Sequence, residues 1–211
     1  MATHTATKAI DRPLRRVPVQ GRSVARVARM LDACAQLVDE VGCDGLTTTL
    51  LAERAQVAIG SVYQFFPDKQ AVVRALVVRN LEAYLDRLSG QLPGATFGHW
   101  WEAVDAAIDE YIAMHRNVPG FRTLRFGDIG EKRLLGGESD SSEVVADHLV
   151  GLCAGLGGAD QPVLRFVLAV AVQIFEALVA MAFRHDPDGD PAVLAECKII
   201  TREYLASHVP L

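Results

Sequence analysis

Four residues, Ile59, Gly60, Ser61 and Gln64, lie close enough along the chain to share one face of a short helix, where they can read base edges. The carboxamide of Gln64 suits adenine, its oxygen accepting from the N6 amino group and its N–H donating to N7 in a bidentate pair. Gly60 and Ser61 are small, so a helix carrying them approaches a groove closely. Ile59 completes the base-facing turn. Tyr63 and Lys69 donate to phosphate oxygens, contacts that set register without reading sequence. Thr47, Thr48 and Ala58, at the starts of the two helices involved, complete the expected DNA face.

Those side chains need a frame, and residues 45–70 supply one, GLTTTLLAERAQVAIGSVYQFFPDKQ. Thr47 is placed to cap a first helix over Thr48–Ala55, its hydroxyl accepting from the free amides of the first turn. Leu51 and Ala52 then point inward, with Glu53 and Arg54 outward. Gln56 and Val57 fall at a turn, Val57 as the buried plug. Ala58–Phe65 forms a second helix, which Pro67 stops because it cannot continue the hydrogen-bond ladder. This is helix-turn-helix spacing, in which the second helix presents its N-terminal residues to the major groove.

The run resembles the DNA-binding domain of the TetR family of transcriptional regulators, without gaps across residues 45–70. The resemblance rests on Thr47, Ala52, Glu53, Arg54, Ala55 and Val57, and then on Gly60, Ser61, Tyr63, Phe66, Pro67 and Lys69. Three positions depart from the family pattern. Gln56 stands where glycine is usual and needs a positive φ or a reshaped turn. Ala58 replaces a capping serine, and Phe65 replaces a tyrosine or histidine that touches phosphate. The resemblance implies a small-molecule pocket among the later helices and a homodimer through residues 161–185 and 191–207. A two-fold dimer carries two reading heads to a pseudo-palindromic operator on double-stranded DNA.

Charge is distributed to match. The 211 residues carry a net −5, which alone argues against a nucleic-acid partner. Residues 1–90 nevertheless hold 12 Lys/Arg against 9 Asp/Glu, a balance of +3, and residues 91–211 hold 9 against 17, a balance of −8. A basic amino-terminal part on an acidic body directs one end to DNA. Four cysteines, Cys34, Cys43, Cys153 and Cys197, form no CxxC pair and fit reduced thiols in a cytoplasmic protein. No secretory signal is evident in the first 30 residues. Phe166–Phe183 is apolar enough to invite a membrane reading. It contains Gln173 and Glu176 between Arg165 and Arg184, so a buried helix is the expectation.

Along the chain, residues 1–21 read as a disordered basic arm, with Arg12, Arg15 and Arg16 able to reach phosphates or the minor groove. Ser23–Val41 has Val27, Leu31, Cys34, Val38 and Val41 at helical spacing and ends at Gly42. A longer helix runs from Asp68 or Lys69 to Leu88, with Val73, Leu76, Val77, Leu81, Tyr84, Leu85 and Leu88 as its stripe, and Pro93–Gly94 marks a boundary. Further helices are predicted over Phe97–Asn117, with Trp101, Val104, Ile108, Tyr111, Ile112 and His115 on one side, then over Phe121–Phe126, Ser141–Leu156, Gln161–His185 and 191–207. The last is capped by Asp190 with Pro191 in its first position, and has Leu194, Cys197, Ile200, Tyr204 and Leu205 inward. The fold class is therefore all-α. A helix-turn-helix domain over 22–70 precedes a helical-bundle ligand-binding and dimerisation domain over 71–211.

The body offers no recognisable nucleophile, phosphate loop or acid/base pair, so no enzyme, metal or cofactor is implied. Asp186, Asp188 and Asp190 lack the calcium-loop pattern, since Cys197 occupies the twelfth position. Aromatic residues with a few polar partners suit an apolar small-molecule site between helices. The candidates are Trp101, Tyr111, Met114 and His115, then Phe121, Phe126, Gln173 and Glu176. The expected function is a DNA-binding regulator, a repressor released from its operator by a small, largely apolar effector. The competing expectation is a helical ligand-binding or enzymatic protein whose helix-turn-helix no longer binds DNA.

Overall fold

A computed structural model describes residues 21–91, 97–122, 141–152 and 161–208, and these form eight helices with no strand. The arm, Pro93–Gly94, Phe126 and Cys153 lie outside the described residues, as does the predicted Phe121–Phe126 helix beyond Arg122. The chain divides into two compact units, Met1–Asn80 with Val118–Glu138, and Leu81–Asn117 with Ser139–Leu211.

In the first unit, α1 (Gly21–Gly45) buries Val27, Met30, Leu31, Cys34, Leu37 and Val38 along one face. Gly42 breaks its regularity with φ 70°, a conformation open to glycine because it has no Cβ. The break turns Val41 outward, so that residue, expected in the buried stripe, is 46% exposed. Two short helices follow, α2 (Thr48–Arg54) and α3 (Ile59–Phe65), and then α4 (Lys69–Gln91), whose first turns bury Val72, Val73, Leu76 and Val77. Arg54 holds Glu40 of α1 through two bonds of 2.8 and 2.7 Å. That pairing draws the Glu40 carboxyl below its ordinary range, the hydrogen bond first and the charge second.

Residues 118–121 close this unit against α1. The Gly120 amide donates to Asp39 Oδ2 at 2.7 Å, and Asn80 Nδ2 lies 3.5 Å from the Gly120 carbonyl. Gly120 has φ +72°, and a Cβ there would meet the Ala35 Cα at 2.8 Å. Only glycine satisfies both demands.

The second unit holds the rest of α4 with α5 (Trp100–Asn117), α6 (Ser141–Leu152), α7 (Gln161–Ala182) and α8 (Pro191–Ala206). On α5 the buried positions are Trp100, Val104, Ile108, Tyr111 and His115. Trp101, expected inward, is half-buried instead. Position 100, eleven residues before Tyr111, falls within about 20° of it around a 3.6-residue helix, and position 101 swings away. Arg202 of α8 covers the Trp101 ring, its guanidinium 5.7 Å from the ring centre.

The turn before α8 matches its sequence signals. Asp190 accepts from Ala192 and Val193 amides at 2.9 and 3.3 Å, with Pro191 next in line. Asp186 and Asp188 form an Asx turn, the Asp188 amide donating to Asp186 Oδ1 at 2.9 Å. On α8, Thr201 is buried and Ile200 is 40% exposed, reversing the expectation that Ile200 points inward. Thr201 tolerates burial because its hydroxyl donates back to the Cys197 carbonyl at 2.8 Å.

α7 packs against both α6 and α8. Its Pro162–Ala182 stretch has a mean hydropathy of 2.1, long and apolar enough to cross a membrane by length and composition. Only 33% of that window is buried, so α7 keeps an open apolar face and is not enclosed on all sides as its composition suggested.

Candidate DNA-reading surface and ligand site

The helix-turn-helix forms as a unit of caps and a turn. Thr47, extended at φ −128°, ψ 154°, accepts from the Leu50 amide at 3.1 Å and starts α2. Gln56 takes φ 54°, the left-handed conformation its position demands. The turn closes with the Val57 amide on the Ala52 carbonyl at 3.0 Å. Val57 is half-buried, so the plug between the helices is built chiefly of the buried Leu51, Ala52 and Ala55. Ala58 precedes α3 with extended dihedrals and makes no side-chain cap.

α3 divides cleanly by face. Val62 and Phe65 are buried and anchor it, followed by Phe66. Ile59 and Tyr63 are 43% and 46% exposed, and Ala58, Gly60 and Gln64 are exposed beside them. A Cβ added at Gly60 meets nothing within 4 Å, so the open surface there belongs to whatever α3 approaches. Ser61 is half-buried, as is Thr48. The Tyr63 hydroxyl lies 3.0 Å from Thr48 Oγ1, tying α3 to α2 at the exposed surface. Lys69 Nζ donates to the Cys43 and Asp44 carbonyls at 3.3 and 3.2 Å, where it caps the end of α1. An ammonium has three donors, so two carbonyls leave one for an anion. Phe65 sits in the core and presents nothing to a phosphate.

In the second unit, the candidate ligand residues separate into two groups. Tyr111, His115 and Glu176 come together. The Tyr111 hydroxyl donates to Glu176 Oε1 at 2.9 Å, and both residues are buried. The His115 ring lies 4.5 Å from that of Tyr111, and its Nδ1 is 3.0 Å from the Tyr111 carbonyl, which fixes that nitrogen as the donor. Phe175 and Phe183 pack on the same cluster, at 5.1 Å from Tyr111 and 5.0 Å from His115. Met114 is fully buried on α5.

The other candidates are elsewhere. Gln173 is exposed, and its Nε2 donates to the hydroxyl of the buried Ser142, which ties α7 to α6. Trp101 is taken by Arg202. Phe121 is buried within the first unit.

Tyr84 and Phe183 were not among the candidates. Tyr84 stacks edge-on against Tyr111 with ring centres 5.5 Å apart and donates to the Ala107 carbonyl at 3.0 Å. Burial pushes its phenol well above the ordinary range, helped by the negative charges of Glu176 and Glu110. Tyr84 read as one more core position of α4, and Phe183 as the tail of an apolar run, so neither carried a distinguishing signal. Glu110 is buried and pairs with Arg87 at 2.8 Å. Among the described residues, Trp100 Nε1 is buried and has no hydrogen-bond partner. A buried donor left unmade costs about 1–3 kcal/mol, and such an atom calls for an explanation.

Comparison with known proteins connects these features. Residues 30–76 match the model of bacterial regulatory proteins of the tetR family. Residues 98–209, more than half the chain, match the tetracyclin repressor-like C-terminal domain. The crystal structure of a TetR-family transcriptional regulator from Streptomyces coelicolor is 42% identical, with a TM-score of 0.73 over 87% of this chain and 99% of that one. The tetracycline repressor protein class D of Escherichia coli is 32% identical over 57% of this chain and 50% of its own length. The HTH-type transcriptional regulator BetI of Burkholderia thailandensis is 32% identical over 43% and 42%. The chain thus spans half or less of the length of these curated relatives. Both halves match within a single continuous chain, and the chain belongs to the TetR family of bacterial regulatory proteins.

Proposed function

We propose that the protein is a cytoplasmic, ligand-responsive transcriptional repressor that binds a pseudo-palindromic operator as a homodimer and has no enzymatic role. The observation that carries the reading is the division of α3, buried through Val62 and Phe65 and open through Ile59, Gly60, Tyr63 and Gln64. Gln64, Ser61, Gly60 and Ile59 face bases. Tyr63 and Lys69 take phosphates, and Thr47, Thr48 and Ala58 border the same surface. The DNA-reading role belongs to residues 22–70, the arm before them adds backbone contacts, and residues 71–211 carry effector binding and dimerisation.

The effector enters the cluster of Tyr111, His115, Met114 and Glu176. Its apolar body contacts Phe175 and Phe183, and its polar end meets the Tyr111–Glu176 pair. Operator release follows if the effector binds more tightly to the conformation that cannot hold DNA. Homodimerisation uses residues 161–185 and 191–207, where Val163, Phe166, Met181, Ile199 and Ile200 are all at least 40% exposed.

The test is selection of bound sequences from a random duplex pool at two salt concentrations. A palindromic site whose affinity falls steeply with salt supports the reading. Sequence-blind binding overturns it in favour of a ligand-binding body with a silent head. On the selected operator, Gln64→Ala should relax preference at one base pair, costing about 1–3 kcal/mol of discrimination. Lys69→Ala should weaken every sequence alike and reduce the salt slope by about 1.

A further inference from the structure

The open face of α7 has a regular composition. Val163, Phe166, Val170, Gln173, Ala177 and Met181 recur at steps of three, four, three, four and four, the spacing of a helical face that packs against another helix. Phe166 is 68% exposed, Val163 51% and Met181 46%, and Gln173 and Ala177 are also exposed. Near the start of this seam, α6 and α7 line an open cavity of about 460 Å³. Its apolar wall is Val150, Pro162, Phe166 and Ala169, and its charged rim is Glu143, Asp147 and Arg165. Arg165 pairs with Asp147 and lies 3.6 Å from Glu143, so the rim holds two carboxylates to one guanidinium. Just beyond the far end of α7, Arg184 is exposed.

Charge decides how two such seams meet. A parallel pairing sets Arg184 against Arg184 at one end and carboxylates against carboxylates at the other. An antiparallel pairing does the opposite, and it is the arrangement a two-fold axis perpendicular to the helices imposes. Gln173 is the midpoint, eleven residues after Pro162 and eleven before Arg184. We infer that this cavity receives the end of α7 from a second copy of the chain, with the partner's Met181 against Phe166 and the partner's Arg184 on the rim beside Asp147. The inference rests on the homodimer reading above and assigns its orientation and register. Sulfur against an aromatic ring is a favourable contact, and the guanidinium fork suits a carboxylate. The two Gln173 side chains then meet at the axis, each amide both donor and acceptor, and a polar pair on an apolar seam fixes register.

The test uses the full chain. Arg184→Glu places like charges at both contacts of its homodimer, and Asp147→Lys does the same. When the two variants are mixed, the heterodimer has opposite charges at both contacts. Native mass spectrometry at low salt should show heterodimer over homodimers by about tenfold, where random assortment gives twofold over each. Gln173→Cys, in the otherwise unchanged chain, should oxidise to a covalent dimer joined at residue 173, because residues on the axis meet themselves within disulfide reach. This second variant stands if Asp147→Lys unfolds, as judged by circular dichroism. A monomeric unaltered chain removes the homodimer reading and this one with it. A dimeric chain that shows random assortment and no 173–173 link leaves the homodimer standing and overturns this seating.

Discussion

Gln56 holds φ 54° in the turn between α2 and α3, where a side chain with a Cβ is strained. The left-handed conformation costs an L-residue about 1–2 kcal/mol, and glycine avoids this at some entropic loss in the unfolded chain. Gln56→Gly should therefore raise unfolding stability by about 0.5–1 kcal/mol, read from denaturant midpoints at unchanged slope. Cys34 gives a pH-dependent counterpart. Burial pushes its thiol from 9.0 to about 12, with a further push from Cys43 and a smaller opposing pull from Arg79. Between those values the unfolded thiol loses its proton while the folded one keeps it, so the folded state binds more protons. Stability present below pH 9 must then decline as pH rises toward 12. Thermal unfolding of Cys34→Ala should show a shallower alkaline decline than the parent, whatever its stability at neutral pH. Equal slopes would assign the decline to other groups, Tyr84 and Cys197 being the nearest in kind.

Helix ends were the most legible elements, because a cap is a local event between one side chain and the next few amides. Thr47 and Asp190 both accept from the amides their positions predicted, and Ala58 leaves α3 uncapped. Asp190→Ala should cost about 1 kcal/mol, and Ala58→Ser should gain a similar amount, since Ala58 already has the extended backbone of a capping residue. Chemical denaturation of the two variants checks both signs, and a neutral Ala58→Ser would mean that its hydroxyl cannot reach the α3 amides. Which face of a helix is buried was legible only where the apolar residues were unevenly placed. Trp100 and Trp101 are adjacent and alike, so periodicity alone chose the wrong one. Ile200 and Thr201 exchanged roles because a back-bonded hydroxyl is as easily buried as a methyl group. The seat of Gly120 against Ala35 depends on residues 85 positions apart, and no local pattern carries it. In the candidate ligand cluster, Tyr111, His115 and Glu176 could be singled out from sequence because a polar residue in an apolar stripe is conspicuous, and the structure brings the three together. Tyr84 was missed because its hydroxyl is hidden in an ordinary core stripe.

At the scale of the whole molecule, the charge imbalance and the open seam of α7 describe one requirement. A single head offers only the short α3, and a net −5 chain gains little from non-specific attraction. Two heads held together change the arithmetic, since the second engages at an effective concentration set by the link between them, a gain of about 10²–10⁴ in affinity. Phe166, 68% exposed on the seam, is the residue to test. Phe166→Asp puts a charge on an apolar contact without disturbing a buried neighbour, so each chain should stay folded while the dimer is lost. Binding to a palindromic operator should then fall by about 10²–10⁴, and binding to an isolated half-site should not change. Analytical ultracentrifugation and fluorescence anisotropy on the two duplexes separate the terms. If the half-site weakens equally, the substitution has reached the head and the seam is not what joins the two readers. If both affinities persist in a monomer, one head suffices, and the acidic body has no part in holding a second reader on the operator.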